Sequence, residues 1–111
     1  MNYTVTYDDG QKTWSAEFPA PDRLPQAGDI YEFAVPVHTL ARVSYNVGDL
    51  VKIVGRTDFA PHHRTSSLGN LIVCCKHFPN GSVWTNIELA IAEGNLKLIG
   101  VTHLQCKLAT E

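Results

Sequence analysis

Two adjacent histidines and an arginine, His62, His63 and Arg64, sit in the stretch DFAPHHRTSSLGN from Asp58 to Asn70. Imidazoles can ligate a metal or move protons near neutral pH. A guanidinium beside them can fork onto a carboxylate or phosphate. Zinc asks for about four Cys or His ligands in a tetrahedron. The candidates are His62, His63, Cys75, His77, His103 and Cys106. Cys75 and His77 share one face of an extended segment, whereas His103 and Cys106, three apart, point to opposite faces if extended. The sequence has neither a CxxC pair nor an HxxxH, so neither a metal nor another cofactor is expected.

Cys74 or Cys75 with His77 or His103 would be the ingredients of a Cys–His nucleophile. A reactive thiol needs an exposed, electropositive setting, and the apolar run around these cysteines implies buried, inert sulfur instead. Neither G-x-S-x-G, a phosphate-binding P-loop, dinucleotide-binding glycines nor HExxH occurs. Glu88 and Glu93 are explained better as a helix cap and a solvated residue than as a catalytic pair. The expectation is a protein that is not an enzyme.

What remains is recognition. Residues 36–76 hold five bases and two acids, whereas residues 1–35 hold six acids and two bases. Arg42, Lys52, Arg56, Arg64 and Lys76, with Tyr45 or Phe59 to stack on bases, would suit nucleic acid. The overall charge of −2 argues against a dedicated nucleic-acid binder. A protein partner fits better. The segment from Thr57 to Ser67 is long for a loop in a small domain, and such loops are commonly functional. It combines an apolar anchor, Phe59, with the rigid Pro61, two histidines and Arg64. The expected binding residues are Phe59, His62, His63, Arg64, Arg56 and Tyr45.

The elements that must position these residues follow from the pattern. The chain has 111 residues, 44% hydrophobic and 18% charged, which suits one globular domain, 1–111. No apolar run reaches the length of a membrane span. MNYTVTYDDG lacks the basic start and apolar core of a secretory signal, so a cytoplasmic location and three reduced thiols are expected. YTVTY, DDGQ and KTWSAEF predict an N-terminal hairpin over residues 2–18, within a unit 1–18. Three prolines, Pro19, Pro21 and Pro25, then enforce a loop.

AGDIYEFAVPV from Ala27 and VGDLVKIVGRT from Val47 echo each other, each a Gly-Asp launching an alternating strand. Ile30 with Phe33, and Leu50 or Val51 with Ile53, are the expected core residues. GNLIVCCKHF predicts a central strand, and Asn80-Gly81 a hairpin turn after it. In WTNIELAIAEGN, Thr85 and Glu88 have capping-box spacing, and Gly94 or Asn95 ends a helix over about 86–93. LKLIGV, Leu96 to Val101, predicts a strand that THLQCKL would continue. The fold class is therefore mainly β, a small barrel or bent antiparallel sheet, with one short helix near the C-terminus.

From Val47 to Ile99, the succession VGDLVKIVG, a polar loop, LIVCCKH, a turn and VWTNIELAIAEGNLKLI resembles an SH3-like small barrel. Such barrels occur in KOW-type modules and in small phage accessory proteins. The resemblance implies an SH3-like core over 47–99 that binds proteins, peptides or nucleic acids. It makes a phage-type modulator or inhibitor of a host protein the expected function. A nucleic-acid-binding accessory factor is the alternative, and a small Cys/His metal-binding protein or enzyme stands third.

Overall fold

The computed structural model describes residues 1–38 and 43–101. The chain opens with strands β1 (Asn2–Asp8) and β2 (Thr13–Pro19), paired antiparallel with Tyr3 opposite Phe18 and Tyr7 opposite Trp14. The predicted hairpin is present. Asp9 Oδ1 closes its turn by accepting the N–H groups of Gln11 and Lys12 at 2.9 and 2.8 Å.

The Gly-Asp echo proves to be one turn built twice, ahead of β3 (Asp29–Phe33) and β6 (Leu50–Thr57). Gly28 and Gly48 both have φ of 96°, a conformation open to glycine without strain. Gly28 N–H donates to Ile53 O at 2.8 Å, and Gly48 N–H to Phe33 O at 2.9 Å. Each aspartate N–H then bonds the carbonyl three residues back at 3.0 Å. Each carboxylate accepts that same residue's N–H, from Gln26 at 2.8 Å and from Asn46 at 2.7 Å. Each turn thus leans on the other's strand, which fixes where both strands begin.

This turn also sets the side-chain parity. Asp29 is buried because its carboxylate serves the turn and Arg23. Side chains alternate along a strand, so Tyr31 and Phe33 follow it inward and Ile30 faces away, contrary to its expected place in the core. In β6, Val51 and Ile53 are core residues and Leu50 is exposed.

The short strands β4 (Val37–His38) and β5 (Ser44–Tyr45) form a two-stranded ladder. After β6 comes a 3₁₀ turn at Pro61–His63. It is followed by β7 (Arg64–Ser66), β8 (Asn70–Cys75), β9 (Phe78–Trp84), helix α1 (Ile87–Ala92) and β10 (Leu96–Val101). A five-stranded antiparallel sheet has the order β10-β3-β6-β8-β9, and a three-stranded sheet the order β2-β1-β7. The core gathers Tyr31, Phe33, Tyr45, Val51, Ile53, Leu71, Val73, Ile87 and Leu96. The fold is mainly β and antiparallel, with one short helix before the last described strand. No helix of the described residues is long and apolar enough to cross a membrane.

Three expectations fail locally. Asn80-Gly81 does not turn the chain; Lys76-His77 does, and β9 runs through Asn80 and Gly81. Val73 pairs with Ser82 and Cys75 with Phe78, so three residues of β9 stand against one of β8. Gly81, at φ 109°, absorbs the resulting bulge. The earlier turn wins because its side chains are held: Lys76 Nζ lies 2.6 Å from Asp49, and His77 Nε2 2.8 Å from Ser44 O.

The capping box also fails to form. Asn86, at φ 75°, breaks the approach to α1, the Thr85 hydroxyl has no partner, and Glu88 turns inward onto Arg56. The helix ends as expected: Gly94 N–H bonds Ile91 O and Asn95 N–H bonds Ala90 O, a Schellman pair. Finally, Cys75 is a buried free thiol but Cys74 is disulfide-bonded, so the expected set of reduced thiols does not hold. Arg42, His103 and Cys106 lie outside the described residues, as does the predicted continuation of the last strand.

Candidate binding groove

The stretch from Asp58 to Arg64 is built into the structure at both ends. Asn70 Nδ2 donates to Phe59 O at 2.8 Å and to Arg64 O at 3.0 Å, clamping the segment from below. Thr57 Oγ1 accepts Phe59 N–H at 3.1 Å. Between the clamps, His62 and His63 have φ of 53° and 64°. Left-handed backbone costs a non-glycine residue about 1–2 kcal/mol. Two in succession are held by the Asn70 clamp and by β7, which joins the N-terminal sheet beside β1. The expected contact loop is therefore a strand-anchored arm.

That pairing sets Arg64 opposite Tyr7. The guanidinium lies 5.9 Å from the Tyr7 ring centroid, and His63 meets the same ring edge-on at 6.3 Å. Tyr7 in turn stacks on Trp14 at 6.2 Å. Among the described residues, Arg64 has no carboxylate within ion-pair distance. Phe59 is 64% exposed at the arm's base. The structure thus brings His63 and Arg64 together with Tyr7 and Trp14, two residues that sequence reasoning assigned only to the hairpin. The signal was present in the Tyr/Trp spacing, but it needed the β1–β7 pairing to acquire meaning.

Beside this cluster runs a groove of about 610 Å³. Trp14 and Phe18 line it from β2, Phe78, Val83 and Trp84 from β9, and Ile87 and Ala90 from α1. Pro61, His62 and Arg64 of the arm close one side. No aspartate or glutamate is among its lining residues. Thr85, whose buried hydroxyl oxygen makes no hydrogen bond, also lines it. No family model, curated protein or solved structure matches the chain. The groove's own chemistry is then the guide. It offers aromatic surface and a cationic flank, a combination that takes up an apolar body carrying an anionic group.

Two expected binding residues belong elsewhere. Tyr45 is 1% exposed, stacks on Phe33 with centroids 4.7 Å apart, and its hydroxyl lies 3.1 Å from Cys75 Sγ. Burial raises its pKa above that of a free phenol. It is a core residue that no nucleobase can reach. Arg56 reaches Glu88 at 2.9 Å and the carbonyls of Leu68, Gly69 and Pro25 at 3.2 Å each. It satisfies a buried carboxylate on α1 and ties two loops to it, so its guanidinium is already occupied.

The basic middle third likewise does not assemble into one free surface. Lys52 is buried and Lys76 is paired with Asp49. The lysine ammonium and the Asn46 N–H hold the Asp49 carboxyl below the ordinary range. Cys75 is buried in the core, away from solvent, which removes it as a nucleophile paired with His77. Among the described residues, no three His, Cys, Asp or Glu side chains converge on a metal-sized site.

Proposed function

We propose that this is a non-enzymatic binding protein that holds a protein partner in the groove between its N-terminal hairpin and the β9 edge of the larger sheet. The observation that carries the reading is the lining itself. Aromatic side chains from two sheets meet there beside an arginine and a histidine, with no acidic residue in the lining. Trp, Tyr and Arg are the residues that dominate protein interfaces when water is excluded from around them. The strained arm supports the reading, because backbone strain is retained where it presents side chains for use. The strand order β10-β3-β6-β8-β9, with a helix before the closing strand, is in keeping with an SH3-like binding module. By analogy with phage accessory modules, modulation or inhibition of the partner is the expected consequence of binding.

The nucleic-acid reading draws less support. Of the described cations it relied on, Lys52, Arg56 and Lys76 are buried or paired, which leaves the arm. The test is affinity capture from a bacterial lysate with the wild type and Trp14→Ser in parallel, with and without nuclease. The expected result is a near-stoichiometric protein that survives nuclease and is lost with Trp14→Ser. Recovery that needs nucleic acid and disappears with salt would replace this reading by the alternative. A partner held equally well by the variant would move the contact away from the groove.

A further inference from the structure

Taking the groove as the partner site, we infer that the partner supplies one extended segment that adds as a strand along Ser82–Trp84, the end of β9 that lines the groove. Its apolar side chains lie against Trp14 and Phe18, and a carboxylate reaches Arg64.

The first ground is topological. β9 is the last strand of the five-stranded sheet. Among the described residues, no backbone bond of Ser82, Val83 or Trp84 goes to anything but β8. An edge strand presents a row of unpaired N–H and C=O groups, a template for another chain.

The second ground is the pattern of the lining. Ser82, Val83 and Trp84 are consecutive, and all three line the groove. Alternate residues of a strand point to opposite faces, so a groove lying over one face would meet only every second residue. Consecutive residues meet it because it runs along the backbone edge. By contrast Trp14 and Phe18, four apart, share one face of β2, so that strand lends side chains and not its edge. The groove therefore has a hydrogen-bonding wall and an apolar wall, the two surfaces that a β-strand engages at once.

The third ground is charge. His62 and Arg64 flank the groove, and no acidic residue lines it. Arg64 rests on the Tyr7 ring with its fork unpaired among the described residues, set for a carboxylate from outside. Ser82 to Trp84 would pair with about three residues, roughly 10 Å of extended chain.

The experiment selects dodecapeptides from a random phage-displayed library on the full chain. The tightest binder is then synthesised with single N-methyl amides along its length and with each acid changed to its amide. The expected peptides alternate apolar residues and carry an Asp or Glu. N-methylation at alternate positions lowers affinity tenfold or more, and the positions between tolerate it within twofold. The acid-to-amide change costs about tenfold on the wild type and nothing further on Arg64→Gln. Binding lost with Trp14→Ser but indifferent to N-methylation would overturn strand addition and leave the groove standing. Binding indifferent to the acid would overturn the carboxylate contact. If no peptide is selected, or if binding is untouched by Trp14→Ser, the groove reading falls as well.

Discussion

The Tyr3 hydroxyl accepts the Leu89 N–H at 2.8 Å and donates to Asn86 Oδ1. A tyrosine of the first strand thus satisfies the opening of a helix near the other end of the chain. The N-terminal hairpin is consequently tied to α1, the helix that lines the groove.

Tyr3→Phe removes an acceptor and a donor at once and leaves a helix N–H unpartnered. It should lower stability by about 1–2 kcal/mol, the usual cost of a lost cap. Thr85→Ala should be close to neutral, because that hydroxyl caps nothing. Burial pushes the Tyr3 pKa up to about 12. Stability from keeping the phenol neutral is therefore complete below the unfolded value near 10 and is lost as pH rises through about 12. Urea denaturation of both variants, repeated at pH 11, checks all three statements.

Arg56→Ala should cost about 3 kcal/mol, because it strands the carboxylate of Glu88, whose side chain is 1% exposed. Arg56→Ala with Glu88→Leu should recover a good part of that loss, since no buried charge is left. Additive losses in this double-mutant cycle, measured by thermal and chemical unfolding, would return Arg56 to the solvent-facing residues.

Asp29 contributes stability that depends on its charge. Burial raises its pKa, but the Arg23 guanidinium at 2.7 Å and the Gln26 N–H outweigh that and leave it lowered. A lowered folded pKa contributes stability above the unfolded carboxylate value, about 3.9, which is lost as pH falls through the folded value. Asp29→Asn should therefore cost about 2 kcal/mol at neutral pH. The gap between wild type and variant should shrink below about pH 4. A gap independent of pH would show that the Asp29 charge has no part in holding the turn.

His62→Gly relieves a left-handed position and should raise stability by roughly 0.5–1 kcal/mol, the strain released less glycine's added chain entropy. The same change should weaken partner capture. A variant that is destabilised would mean that the imidazole serves folding rather than recognition.

Much of the architecture was legible in local patterns. The hairpin, the Gly-Asp turns, the helix end at Gly94 and the strand from Leu96 to Val101 each follow from residues within a few positions of one another. The misreadings came from contacts between distant residues. Glu88 fitted a capping box until Arg56 drew it inward. Asn80-Gly81 fitted a turn until Asp49 and Ser44 held Lys76 and His77. Tyr45 and Arg56 carry groups suited to binding, and only burial shows that those groups are already engaged. Of the site, the arm was visible as an unusual loop. Its wall of Trp14, Phe18 and Trp84 was not, because strands far apart in sequence build it.

Amide hydrogen exchange of the full chain, alone and with its captured partner, tests the central claim most directly. The account predicts slowed exchange over residues 80–86 and 61–64. Slowing confined to the outward residues of β6 and β10, around Leu50, Val54 and Ile99, would place the partner on another surface and contradict it.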